Sequence, residues 1–157
     1  MLKDFYLALA PVSFTLLGLW MIVAQTRHAD WRHSALHRRQ GYAVWLNFAL
    51  PGFMALLSLV DSSNEALWRV SFAVVAGVGA ALLLGLWMNG GGRRGLLLYG
   101  PSMLLYSLIA LIAIAPAIVD DLDASINALR TEAILLSIVV FVGVNLAWYL
   151  LFEDATQ

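Results

Sequence analysis

Five uninterrupted apolar runs, over residues 5–25, 41–60, 68–89, 96–119 and 133–152, dominate this chain, and together they contain one charged side chain, Arg69. The chain has 157 residues with 10 Asp and Glu and 9 Lys and Arg. Nearly all of that charge is therefore confined to short connecting segments. At ~1.5 Å rise per residue, runs of this length span about 30 Å as helices, the thickness of a bilayer's hydrocarbon core. Transmembrane β-strands would be half as long and would alternate in polarity, whereas these runs are continuous. The reading is an all-α polytopic membrane protein, a single domain over 1–157 built as a bundle of five transmembrane helices. A water-soluble enzyme, a nucleic-acid binder and a disordered tail are excluded, since a soluble domain is about a quarter charged and this chain is 12% charged.

Orientation follows from the placement of Lys and Arg in the short loops. Arg27, Arg32, Arg38 and Arg39 lie between the first two runs, and Arg93 and Arg94 lie between the third and fourth. Lys3, Arg69 and Arg130 fall on the opposite side. The expectation is an N-terminus outside and a C-terminus in the cytoplasm, in a bacterial inner membrane. Trp20, Trp45, Trp87 and Trp148 sit near the cytoplasmic ends of their runs and Trp68 near an outer end, the headgroup depth that indole rings favour. The first run reads as a retained span, because Lys3 beside Asp4 makes a poor signal-peptide n-region and the apolar stretch exceeds a signal's h-region.

Within lipid, close helix packing depends on small residues. The third run supplies Ala73, Gly77, Ala81 and Gly85 at every fourth position, widened by Ala76, Gly79 and Ala80. This strip predicts a central position for the third helix or a contact between subunits. Pro51, in the middle of the second run, predicts a kink that frees the carbonyl of Asn47. Pro101 and Pro116 are expected to bracket the fourth helix, and Pro11 lies in the first half of helix one.

The polar residues inside the runs concentrate toward the basic end. Asn47, Tyr99, Ser102, Tyr106, Asn145 and Tyr149 form the candidate site. Tyr99, Ser102 and Tyr106 share a face of the fourth helix, and Ser137, Phe141, Asn145 and Tyr149 recur every four residues on the fifth. Such side chains are costly against lipid and are expected to turn inward. They form either a hydrogen-bonded packing core or an aromatic and polar pocket open to the cytoplasmic face, suited to a small planar or amphipathic ligand.

The first loop also carries His28, His33 and His37. If residues 30–40 are helical, Asp30, His33 and His37 share a face and could offer two imidazoles and a carboxylate to a metal, although Arg32, Arg38 and Arg39 oppose a cation there. The alternative is that Arg27, Arg32, Arg38, Arg39, Arg93 and Arg94 bind lipid headgroup phosphates while Trp31 anchors the segment. Three neighbouring imidazoles could also sense pH. In the outer loop, Asp123 or Ser125 is expected to cap a helix that runs into the fifth span, and Asp120, Asp121 and Asp123 to form a solvated helix start.

No Asp, Glu, Lys or His lies within the runs as drawn, and the chain has no Cys. Haem ligation within the bilayer, ion-coupled pumping, intramembrane proteolysis and thiol chemistry all lack their usual residues. No cofactor is expected. The size, five spans and Trp content resemble the tryptophan-rich sensory protein family of tetrapyrrole binders, and NLAWYLLF (residues 145–152) is similar to an Asn-Leu-x-Trp run found there. Where that family has a Trp- and Pro-rich motif near the end of the first loop, this chain has RRQGYAVWLNF, so no ligand is carried over. The expectation from the residues is a non-catalytic membrane protein that binds a ligand or serves as an interaction subunit, with lipid, another membrane protein or a second copy as its partners. The alternative is a small oligomeric channel or facilitator for an uncharged or weakly charged solute.

Overall fold

A computed structural model describes residues 2–31, 33–60, 65–89, 92–117 and 128–152. Five long helices, α1 (Leu2–Thr26), α3 (Ala35–Val60), α4 (Glu65–Met88), α5 (Gly92–Ile114) and α6 (Ala128–Phe152), are each long and apolar enough to cross a membrane. The short α2 (His28–Trp31) joins the first two. Apolar chain in lipid becomes helix because no water is present to satisfy its peptide groups, and a helix satisfies them internally. The protein is an all-α polytopic membrane bundle.

Local chemistry sets the boundaries. Ser34 is the N-cap of α3, its Oγ accepting the N–H of His37 at 3.4 Å and lying 2.8 Å from His37 Nδ1. The second span thus begins six residues before the apolar run, and His37 and Gln40 become buried members of it. Gly92, at φ 49°, takes the left-handed conformation that opens α5. Pro101 lies inside α5 and does not bracket it, whereas Pro116 follows its end, where the residue before a proline is driven out of helical geometry. Asp120, Asp121, Asp123 and Ser125 lie outside the described residues.

The hub of the bundle is α3. In its apolar segment 56% of residues are buried, against 22% to 33% in the other spans. It touches all four other long helices, while α1, α6, α5 and α4 pack in sequence around it. The central place predicted for the third span thus belongs to the second. Three glycines allow the approach. A Cβ on Gly143 of α6 would lie 2.8 Å from Asn47 Cβ and 2.9 Å from the Phe48 ring, one on Gly79 of α4 would meet Leu50 and Tyr106, and one on Gly52 of α3 would meet Ser13 and Phe14 of α1. The strip Ala73, Gly77, Ala81 and Gly85 lies elsewhere: Ala81 is exposed, the others are half-buried, and a Cβ on Gly77 or Gly85 meets nothing within 4 Å.

Candidate functional site

Four of the six residues of the predicted polar cluster turn inward. Asn47, Tyr99, Ser102 and Tyr106 are all buried. Asn47 Nδ2 donates to Ser102 Oγ at 2.8 Å, and the Tyr106 hydroxyl donates to the Leu46 carbonyl at 3.0 Å. That carbonyl is one residue before the group left without its helical donor by Pro51. These contacts join α3 to α5 and make this part of the cluster a packing core. The other two residues face outward. Asn145 is exposed and donates to the Phe141 carbonyl of its own helix at 2.8 Å, and Tyr149 accepts a hydrogen bond from Arg94 Nη2 at 2.8 Å. Together they border a shallow groove between α5 and α6 with Phe141 and Pro101.

Several arginines expected at lipid phosphates are engaged with the protein. Arg27 Nη2 donates to the Leu151 carbonyl at 2.8 Å, in the last turn of α6, and Arg39 Nη1 donates to the Asn89 carbonyl just after α4. At the opposite end Arg69 donates to the carbonyls of Ala113 and Ile114, at 3.1 and 2.9 Å, where α5 ends. Each guanidinium satisfies carbonyls that a helix C-terminus leaves unpaired and sits at the negative end of that helix dipole. Arg38 and Arg93 are exposed, and Arg32 lies outside the described residues.

The metal reading required one helix over residues 30–40. The chain instead turns at His33 and Ser34, which separate α2 from α3. His33 is exposed, while His37 is buried and stacked on Trp31 with ring centroids 6.2 Å apart. The Asp30 side chain lies outside the description. Among the described residues no group of three or more metal-binding side chains is assembled.

What that turn builds is an aromatic groove. By folding α2 back against the end of α1 and the start of α3, it places Trp31 5.8 Å from Trp20, centroid to centroid. The indole N–H of Trp20 is fixed by a 3.0 Å bond to the Gly41 carbonyl, and Tyr42 stacks on Trp45 at 5.6 Å. The four rings wall a cleft of about 410 Å³, with His28 and Arg38 beside them. Gly41 forms part of its floor, where a Cβ would contact the Trp31 ring at 3.5 Å. The cleft lies at the basic end of the bundle, where rigid aromatic surface meets cationic and imidazole side chains. Such a site accepts an apolar body and orients a polar or anionic head. The sequence placed Trp20, Trp31 and Trp45 at this interface as anchors; their convergence depends on the turn at residues 33 and 34.

The fold defines a polytopic helical membrane protein. No protein-family model, curated protein or solved structure matches the chain.

Proposed function

We propose that the chain is a non-catalytic membrane-embedded binding module whose site is the Trp20, Trp31, Tyr42 and Trp45 cleft. The ligand class is a small amphipathic molecule with an anionic head, held near His28 and Arg38. The observation that carries this reading is the cleft itself: four rings from two helices and their connector converge on about 410 Å³ of space. Its size falls within the range of small-ligand pockets, about 300 to 1,000 Å³. Its side chains supply binding contacts and a positive rim.

We place the basic end in the cytoplasm, the N-terminus outside and the protein in a bacterial inner membrane, following the distribution of Arg and Lys. A reporter fused after Gln157 tests the orientation, and an extracytoplasmic signal contradicts it. The binding reading is tested by thermal unfolding of the protein in nanodiscs with decyl phosphate or decanol. Decyl phosphate stabilises the wild type, decanol does so much less, and Tyr42→Ala and Arg38→Ala remove the difference. Equal stabilisation by both amphiphiles contradicts an anion-orienting site.

A second reading, an oligomeric subunit or facilitator, is favoured by the outer face of α4. At Ala73, Gly77, Ala81 and Gly85 this face leaves room for another helix, with open space over Gly77 and Gly85. Mass measurement of the intact particle, with Gly77→Leu as the disrupting variant, tests it.

A further inference from the structure

We propose that the groove between α5 and α6 holds one phospholipid with an anionic headgroup, its phosphate on Tyr149 and Arg94 and one acyl chain laid along Pro101 and Phe141. The groove has a volume of about 290 Å³, and Leu97, Pro101, Phe141, Asn145 and Tyr149 are among the residues that line it. It opens on the outer surface of the bundle, because Leu97 and Phe141 in its walls are 78% and 67% exposed. In a membrane that surface faces acyl chains, so the bilayer itself supplies the occupant. The groove shares no residue with the aromatic cleft, and the two sites stand or fall separately.

The length of the groove matches a lipid chain. Phe141, Asn145 and Tyr149 recur at every fourth position and so share one side of α6, over about 12 Å at the helical rise. That is most of the roughly 15 Å of hydrocarbon in one leaflet. The polar groups sit toward the basic end. Tyr149 Oη accepts a 2.8 Å hydrogen bond from Arg94 Nη2, which leaves the phenolic hydrogen to donate. The guanidinium is thereby held within hydrogen-bond distance of a wall atom, and one phosphate oxygen can accept from both groups. One turn deeper, Asn145 Nδ2 spends one of its two hydrogens on the Phe141 carbonyl at 2.8 Å. The other can donate to a lipid ester carbonyl below the phosphate.

Charge selects the headgroup. Arg93 and Arg94 stand in the first turn of α5, which has no acidic residue, at the end where the helix dipole is itself positive. Cations placed there are unfavourable alone, and a bound anion offsets both. A zwitterionic lipid brings the same phosphate together with a tethered ammonium that the two guanidiniums repel. A neutral lipid brings no anion, and a soluble anion leaves the apolar walls uncovered. An anionic phospholipid satisfies both parts of the groove, as basic pockets between membrane helices do for anionic headgroups elsewhere.

The full chain is placed in phosphatidylcholine nanodiscs, and phosphatidylglycerol of matched chain length is introduced stepwise while the Asn145 side-chain amide and Tyr149 ring resonances are followed. The two are expected to shift together and to saturate while phosphatidylcholine is still in excess. Arg94→Gln is expected to raise the phosphatidylglycerol fraction at half-saturation about fivefold, and glycerol phosphate added in solution to cause no shift. Shifts that grow without saturating reduce the effect to surface potential and overturn the proposal without any variant. The same shifts with glycerol phosphate overturn it, as does an Arg94→Gln titration identical to that of the wild type. Shifts that follow the number of chains per disc put a second copy in the groove and also contradict it. So does saturation seen only in Glu153→Gln, because Arg94 is then committed to an acid that follows Tyr149 in the sequence.

Discussion

Asn47 of α3 and Ser102 of α5 are joined by a buried hydrogen bond of 2.8 Å, and Gly143 of α6 packs directly against the Cβ of the same asparagine. One side chain thus ties the hub helix to two neighbours, once by polarity and once by shape. Removing the hydroxyl in Ser102→Ala is expected to cost about 0.5 to 1.5 kcal/mol, the range for interhelical hydrogen bonds in membranes. Asn47→Ala is expected to cost more, since it also opens space beside Phe48 and Gly143. Reversible unfolding in mixed micelles measures both, and an Asn47→Ala variant as stable as wild type contradicts the hub.

Two glycine substitutions of identical chemistry should separate sharply. In Gly143→Ala the new methyl lies 2.8 Å from a Cβ that cannot rotate away, so a loss of about 1 to 3 kcal/mol is expected. In Gly77→Ala the methyl enters open space, and stability should stay within about 0.5 kcal/mol. Thermal unfolding of the two variants side by side is the check. A large loss at Gly77 would locate a partner on the outer face of α4.

Arg27 should act locally. Its guanidinium holds the Leu151 carbonyl at the end of α6, a contact expected to contribute about 0.3 to 1 kcal/mol. Arg27→Gln is therefore expected to speed amide hydrogen exchange in the last turn of α6 while the first half of the helix stays protected. Exchange rates unchanged in that turn would return Arg27 to a headgroup role.

The spans were legible because charge is excluded from lipid whatever the packing. The inner face was less so, because leucine in lipid and leucine in the core look alike in sequence. Polarity marked Asn47 and Ser102 as side chains that turn inward, and the structure pairs them across helices. The same reading misplaced Asn145, whose amide bonds to the Phe141 carbonyl on its own helix, as Ser137 does to Ala133, and so faces outward at little cost. Gln40 and Glu132, both 0% exposed, each stand immediately before the first residue of an apolar run, where a polar side chain reads as loop. The N-cap at Ser34 shows how far upstream α3 extends. The strip at Ala73, Gly77, Ala81 and Gly85 has the right spacing, but periodicity alone does not tell which glycine meets a neighbour. Here it is Gly79, one of the strip's flanking residues. The aromatic cleft is the least legible feature, since its rings meet only because α2 folds back.

The indole N–H resonances test the cleft as a binding site most directly. The chain has six tryptophans; three wall the cleft, Trp68 lines a small cavity at the opposite end of the bundle, and Trp148 is 66% exposed on the outer surface. On titration of the labelled protein in nanodiscs with decyl phosphate, the resonances of Trp20, Trp31 and Trp45 are predicted to shift together and saturate, with those of Trp68 and Trp148 unmoved. Shifts led by Trp148, or shifts that rise without saturation across all six indoles, would mean that the amphiphile partitions into the bilayer and that the cleft is not a binding site.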